Sequence, residues 1–424
     1  MLKIAIKTLG CKVNQAESDL LAALLKRENV HIVDFEETAD VYIINSCAVT
    51  KMSEKKTRQW VRRALRNNQD SKVFLLGCYS RLLSNHPSPF DSRVQIVDSR
   101  DKIQEMENIL NLSQGRNLSD PVIPETKRAR VWLKVEDGCD HYCHYCIVPY
   151  LRGPVRSEEP QRIISQAIRL EKSGIREIVL SGINLGMYGK DSGESHLIDL
   201  LEDLVQVTEL VRYRLSSIEP FLIDEGFLAR YFFLGKRVCP HFHIPLQSGN
   251  DQILLKMGRG YTANDFERLI NTIRNYHPET AITTDIIVGF PGETKALFQE
   301  TVDFCQKIKF SRTHIFVFSP RPGTPAAQWE PSEGIAAEEK KEREHILLEL
   351  AQRNQCDYHR SFIGKRLSVL VESVSENGVG SGYSENYIPV RIKAIQPVEY
   401  GHILPVIIEE QANRILIGKT QREE

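Results

Sequence analysis

The sequence predicts an α/β chain in three parts: a doubly wound parallel sheet, a partial (β/α)6 barrel and a small antiparallel β-barrel. Three observations carry this. Short β-branched runs alternate with amphipathic stretches from residue 1 to about 111, six further βα units run from Val131, and after Gly364 short alternating strands continue without helices. The 424 residues are too many for one compact core and suggest about three domains. Hydrophobic residues at 41% and charged residues at 26% exclude wholesale disorder.

In the first part, 1–111, the strands are LKIAIKTLG, VHIVDF, VYIINS, KVFLLG and RVQIV, with an amphipathic stretch from Glu17 to Arg27. Residues 112–130, LSQGRNLSDPVIPETKRAR, are rich in Ser, Pro, Gly and charge and read as a linker. The second part, 131–360, offers VWLKVE, REIVLSG, VRYRLSS, HFHIPLQ, ITTDIIVGF and THIFVFS as strands. Helical periodicity at Pro160–Lys172, His196–Val207 and Asn264–Tyr276 separates them, and Ala336–His359 reads as a closing helix. Six such units predict an open or partial barrel with functional loops at the strands' C-terminal ends. In the last part, 361–424, RLSVLVES, GYSENYIPVRI, HILPVII and ILIG form the small barrel.

Lys+Arg 55 against Asp+Glu 56 leaves a net charge of -1, which excludes nucleic-acid binding by bulk charge and leaves room for a local basic patch. No run of about 18 apolar residues predicts a membrane span. The start, MLKIAIKTLGCKVNQ, lacks the regions of a signal peptide, so a cytosol-like compartment is expected. Nine cysteines in such a compartment are not expected to form disulfides. The default for each is a small core hydrophobe, and Cys239, Cys305 and Cys356 have no context that says otherwise.

Three others share a position. Cys11 follows KIAIKTLG, Cys47 follows VYIINS and Cys78 follows KVFLLG. The carboxyl ends of neighbouring parallel strands border one crevice, so these thiols can converge on a soft metal or an iron–sulfur cluster and leave one coordination position open. Three buried core cysteines, or a zinc site, are the competing readings; structural zinc normally closes with four ligands. Cys139, Cys143 and Cys146 make a C-x3-C-x2-C loop after VWLKVE, the most specific signal in the chain. Three thiolates in one loop hold three irons of a [4Fe–4S] cube and leave the fourth to a small molecule. The spacing is not that of a zinc ribbon. His141 and His144 are expected at the loop surface.

That loop on a βα barrel resembles the radical S-adenosylmethionine (SAM) superfamily. The three upstream cysteines and the terminal small barrel narrow the resemblance to the methylthiotransferases. TLGCKVNQ around Cys11 is similar to the MtaB-type branch, which modifies N6-threonylcarbamoyladenosine beside the tRNA anticodon. The match runs nearly end to end, through NSCAVT, the GC at Cys78, DGCDHYCHYCIVPYLRG, SSIEP, PLQSG, DIIVGFPGET and FSPRPGTPA. The last part resembles the TRAM RNA-binding module through VLVES and GYSENYIPV. Two stretches depart from the family. Gly260 in MGRGYT stands where a second basic residue is frequent, and LRGP is less basic than an ARGR-like sequence.

The resemblance implies two [4Fe–4S] clusters and makes the six cysteines the catalytic set. One cluster, on Cys139, Cys143 and Cys146, chelates SAM and cleaves it to methionine and a deoxyadenosyl radical, which takes hydrogen from C2 of the adenine at position 37. The other, on Cys11, Cys47 and Cys78, carries the sulfur that another SAM methylates and that is then transferred. The implied partners are the tRNA anticodon loop and an electron donor such as flavodoxin, in the cytoplasm; the sulfur donor is left open. The implied SAM pocket takes in Gly182 and Gly186 of SGINLG, Glu219 of SSIEP, Gln247 of PLQSG, and Gly289 and Glu293 of VGFPGE. The alternative is that the glycines serve only as βα turn residues and that Glu219 is a solvated strand end.

For RNA, Lys51, Lys55, Arg58, Arg62 and Arg66 fall on one stripe at 100° per residue, with Val61, Ala64 and Leu65 on another side. This ridge just after Cys47 suits phosphate contacts; a solvated charged face is the competing meaning. Two other functions stay open: a methylthiotransferase acting on isopentenyladenosine tRNA or a ribosomal protein, and a noncatalytic RNA-binding protein with saturated clusters. TLGCKVNQ and the RNA-type terminal module argue against the first of these, and an EPR change of the reduced cluster on adding SAM separates the second.

Overall fold

The computed structural model describes residues 1–28, 30–84, 88–110, 128–193, 196–393 and 398–420. The expected linker, 112–130, lies outside the described residues as far as 127, and Arg130 already begins a strand.

Five parallel strands build the first sheet: β1 (Leu2–Thr8), β2 (Val30–Val33), β3 (Val41–Ser46), β4 (Lys72–Gly77) and β5 (Val94–Ile96), in the order β2-β1-β3-β4-β5. The two-residue period of a strand sends alternate side chains to opposite faces. Ile4, Ile43, Phe74 and Leu76 pack with Leu21 and Leu25 of α1 (Lys12–Lys26) and Met106 of α4 (Lys102–Ile109). Tyr42, Ile44, Val73 and Leu75 pack on the other face with Val61 and Ala64 of α2 (Lys51–Asn67). The sheet is thus doubly wound, and α3 (Cys78–Leu83) leaves β4 without a loop between them.

The second part opens with β6 (Arg130–Lys134), and a short β7–β8 pair (Glu136–Asp137, Arg156–Ser157) flanks α5 (Val148–Arg152). The strands β9 (Glu177–Ser181), β10 (Arg212–Leu215), β11 (His241–His243), β12 (Ala281–Val288) and β13 (Arg312–Val317) follow. All pair in parallel as two triplets, β10-β9-β6 and β11-β12-β13. Bridges Tyr213–Val238 and Ser217–His243 join the triplets into one six-strand fan. The outer face is covered by α6 (Pro160–Lys172), α7 (Leu197–Val207), α8 (Glu225–Phe233), α10 (Ala263–Tyr276) and α11 (Lys295–Ile308), with α9 (Asp251–Lys256) near the rim. After α12 (Pro325–Glu333), the long α13 (Ala337–Arg360) lies along β13 and β12 and closes that edge. On the other side, α1 of the first sheet lies against β6 and β9.

The third part is a closed barrel of β14 (Arg366–Val374), β15 (Gly380–Ser384), β16 (Pro389–Lys393), β17 (Ile403–Ala412) and β18 (Ile415–Thr420). Its pairings are antiparallel except β16 with β18, which run parallel. Arginines of the fan fasten this barrel: Arg212 donates to the Ser368 carbonyl at 2.7 Å and Arg214 to the Glu385 carbonyl at 2.8 Å.

Candidate metal centres and the chamber between them

Strands β1, β3 and β4 are neighbours in the sheet, so their C-terminal ends lie side by side. Cys11 caps α1, Cys47 follows Ser46, and Cys78 opens α3. Two glycines make this convergence possible. Gly10 has φ +97, and a Cβ there would sit 2.8 Å from the Cys47 Cβ. Gly77 has φ +93, and a Cβ there would sit 2.3 Å from the Ser46 carbonyl oxygen. The Asn14 amide stitches the loops together, donating to the Leu9 carbonyl at 2.8 Å and the Ser46 carbonyl at 3.0 Å. Cys11 and Cys47 each lie within the electrostatic reach of Cys78. Burial pushes the Cys47 thiol up to about 11.

The second trio is held by the barrel rim. The Cys139 N–H donates to the Gly153 carbonyl at 3.1 Å, the His144 N–H to Met257 at 2.9 Å, and the Ala326 N–H back to His144 at 2.9 Å. Arg259 is buried, and its guanidinium lies 3.3 Å from the Cys143 sulfur and 3.1 Å from Glu219. Burial pushes Cys139 up to about 11 and Cys146 up to about 12. His141 and His144 do not stand at the loop surface as expected. His141 packs on Phe221, and His144 bonds the Lys256 carbonyl and meets the edge of Trp329, because the loop folds back onto the barrel to anchor itself.

The donor sets suit a cluster better than a single ion. Thiolates around one zinc at about 2.3 Å stand within about 4 Å of one another. Among the described residues, neither cysteine trio brings its sulfurs within 4.8 Å of one another, whereas His243, Asp285 and His314 do bring their ligand atoms that close. Cations also flank both trios: Arg259 at Cys143, and Arg152 within reach of Cys11 and Cys78. Fixed positive charge lowers the cost of gathering thiolates in an otherwise desolvating site.

Arg152 joins the two centres. It closes α5, six residues after Cys146, and reaches across to α1, six residues after Cys11 begins its turn. Its guanidinium donates to Asp137 at 2.8 Å, to Glu17 at 3.2 Å and to Asn14. Glu17 also takes Lys102 at 2.5 Å and faces Lys134 at 3.6 Å. Burial alone would raise the Glu17 carboxyl, but Lys102, Arg152 and Lys134 outweigh it and hold it well below the usual range. Ile147 and Leu151 add an apolar contact by packing into the core of the first sheet.

Beneath the rim, the fan's inner face is charged. Val131, Ile178, Tyr213, Phe242 and Ile282 point to the helices, so residues of the other parity face inward. Glu177 there is shared by Arg130, Arg212 and Arg214, and Asp285 lies 3.3 Å from both His243 and His314. Both imidazoles face Asp285 at ion-pair distance, and the cations Arg214 and Lys12 act on the same lumen, which disfavours a dication at the His–Asp–His group. Cys11 keeps accessible surface and Lys12 is half-buried, while the surrounding protein desolvates both, so they line a recess rather than an open face.

The residues of the expected SAM pocket spread over several environments. Gly182 sits where a Cβ would strike Glu136 at 2.4 Å, and Gly186 approaches Leu222 and Ile218. Glu219 is paired with Arg259. Gln247 adopts φ +71, a strained conformation for a non-glycine, next to β12. Glu293 is buried, and one carboxylate oxygen accepts from the Gly289 N–H at 2.7 Å and from Arg343 at 2.6 Å, while the other has no partner among the described residues. On α2, Lys51, Lys55, Arg62 and Arg66 are exposed, while Arg58 turns to Tyr79 and Glu54. Cys239 and Cys305 are buried and Cys356 is half-buried, apart from both trios.

Sequence reasoning missed Arg152, Arg259, Glu136 and Lys12. Arg259 stands in the MGRGYT stretch and Arg152 in the LRGP stretch, both of which the family pattern marks as basic, so both had a signal.

A model of the radical SAM superfamily matches residues 133–305, and one described as "Uncharacterized protein family UPF0004" matches 3–97. The chain is 41% identical over 399 residues to the threonylcarbamoyladenosine tRNA methylthiotransferase MtaB of Thermotoga maritima, covering 92% of this chain and 91% of that protein. It is 35% identical to the protein of the same name from Bacillus subtilis, covering 96% and 94%. Among solved structures, the radical SAM methyltransferase TsrM of Kitasatospora setae superposes with a TM-score of 0.56 at 15% identity, covering 77% of this chain and 75% of that one, which is a likeness of fold.

Proposed function

We infer, from the premise that this chain belongs to the MtaB-type branch of the radical SAM methylthiotransferases, how its own residues serve that branch's reaction. The enzyme methylthiolates C2 of N6-threonylcarbamoyladenosine at position 37 of tRNA, using SAM and a [4Fe–4S] cluster. Cys139, Cys143 and Cys146 would hold a [4Fe–4S] cluster that would supply the electron for SAM cleavage, and Cys11, Cys47 and Cys78 would hold a second that would supply the sulfur.

The chain's residues bind, orient and exclude water. Arg259, held by Glu219, sets a fixed cation against Cys143. Arg152 does the same for Cys11 and Cys78 and fixes the spacing between the two loops. Gln247, Gly182 and Gly186 are proposed walls of the SAM pocket, and Gly289 with Glu293 its shaped turn. Lys51, Lys55, Arg62 and Arg66 offer phosphate contacts, and the barrel 361–424 is proposed as a TRAM-like RNA module. Residues 1–111, 112–130 and 131–360 serve in this reading as sulfur-delivering domain, linker and radical SAM domain. A flavodoxin-like reductant and a cytoplasmic location complete it, supported by the tRNA substrate; no described helix is long and apolar enough to cross a membrane.

The observation that supports this reading is the Arg152 network, which links the helix after Cys146 to the helix that Cys11 opens. Anaerobically reconstituted enzyme, given SAM, a reductant and tRNA bearing the threonylcarbamoyl group, is expected to yield the 2-methylthio nucleoside on mass spectrometry of the digested tRNA. Deoxyadenosine formation without that nucleoside would contradict the sulfur-delivering role of the first trio.

A further inference from the structure

The chamber wall carries a cation that the reaction described above does not use. Lys12 follows Cys11 in the first turn of α1, which lies against β6 and β9. Its ammonium stands among the inner charges of the fan, with Arg214 and Arg130 acting on it more strongly than Asp285 and Glu177. The surrounding charges have partners. Arg130, Arg212 and Arg214 share Glu177, Arg130 also takes Glu372, and Asp285 is held by His243 and His314. Among the described residues, no hydrogen bond or ion pair engages the Lys12 amine.

An unpaired ammonium half-withdrawn from water near Arg214 and Arg130 is costly to keep, and an incoming anion removes that cost. A dication is disfavoured by the same field. An enzyme working on a base inside a closed chamber must extrude that base from its stack, so the RNA phosphates stay outside. On an adenine bearing an N6-threonylcarbamoyl group, the anion that travels with the base is the threonyl carboxylate.

We propose that Lys12 is the specificity residue that receives the threonyl carboxylate of the modified adenine, next to the cysteine that opens the first trio. This rests on the tRNA methylthiotransferase reading. The ammonium distinguishes the anionic N6 substituent from an unmodified or hydrocarbon-bearing adenine, since neither of those can compensate the buried charge.

The test uses reconstituted full-length enzyme, wild type and the variants K12M and K12R, with iron content matched. Binding is measured without SAM to one tRNA in three forms: threonylcarbamoylated, threonylcarbamoylated with the carboxylate amidated, and unmodified at position 37. Wild type is expected to prefer the first form, and K12M to weaken that form by about ten- to a hundredfold while leaving the other two unchanged. K12R should retain most of the preference. If K12M weakens all three forms equally, Lys12 meets phosphate or supports the fold, and the proposal is overturned. If K12M keeps the wild-type preference, it is overturned as well. If K12M keeps that preference but loses SAM binding in a separate titration with SAM alone, the amine meets the SAM carboxylate, which overturns the proposal too. Failure of wild type itself to prefer the threonylcarbamoylated tRNA, with no methylthio product, would overturn the underlying function rather than the role of Lys12 alone.

Discussion

The two thiol trios reach similar ends by opposite means. Cys139, Cys143 and Cys146 lie within one short loop, so local backbone sets their spacing and the rim of the barrel only steadies it. Cys11, Cys47 and Cys78 come from three strands, and their spacing is a product of the sheet: its parallel register, two positive-φ glycines and the Asn14 stitches. A local site tolerates strain elsewhere in the fold; a dispersed one inherits every error of its sheet. The two centres should therefore fail independently, and in different ways.

The largest effects come from the ligands themselves. Cys139→Ala should abolish SAM cleavage, measured as deoxyadenosine release, whereas Cys47→Ala should leave cleavage intact and stop formation of the methylthio nucleoside. Equal loss of both activities in Cys47→Ala would break the separation. Next comes the network that joins them. Arg152→Met removes one partner of a buried carboxylate cluster and should cost about 3–5 kcal/mol in denaturant unfolding of the first two parts. A change under about 1 kcal/mol would mean that the two loops are spaced by apolar packing alone. Gly77→Ala sharpens the contrast further. It forces a methyl group toward the Ser46 carbonyl at a positive φ, for about 1–3 kcal/mol, and should lower iron bound by the first trio while the second keeps its SAM-responsive EPR signal.

The smallest effect on either centre is expected at Glu136. Burial pushes its carboxyl up to about 8 from an ordinary 4.5, against the Asn184 N–H that favours its charge. Because the folded value lies above the unfolded one, its contribution to stability is fully present below about 4.5 and is lost as pH rises through about 8. Stability should fall by about 1 kcal/mol per pH unit in that window. Glu136→Gln should flatten that slope in urea unfolding at pH 5 and pH 8 without altering iron content. An unchanged slope would place the titrating group elsewhere.

The strands, the closing helix and both thiol trios were legible in the sequence because each rests on local pattern: β-branched runs, helical periodicity, and a cysteine at the end of a strand. The charged lumen was not read, although VRYRLS carries polar residues at every second position, HFHIP carries them at His241 and His243 and REIVLS at Glu177 and Ser181, where a doubly buried parallel strand is expected to be continuously apolar. That period-two interruption was the available signal for Glu177, Arg212, Arg214 and His243. Glu293 illustrates the opposite limit. Its motif marks a turn, but only tertiary packing against Arg343 of α13 decides that one carboxylate oxygen is used inside that turn. Arg152 could be counted among basic residues of a loop; its bond to Glu17 spans two parts of the chain and no sequence spacing announces it.

Iron and sulfide quantification of anaerobically reconstituted protein tests the central claim most directly. Two centres with separate ligand sets predict about eight irons per chain in wild type, and about four in either triple variant that replaces Cys11, Cys47 and Cys78 or Cys139, Cys143 and Cys146 with Ala. About four irons in wild type, undiminished when Cys11, Cys47 and Cys78 are replaced, would contradict it.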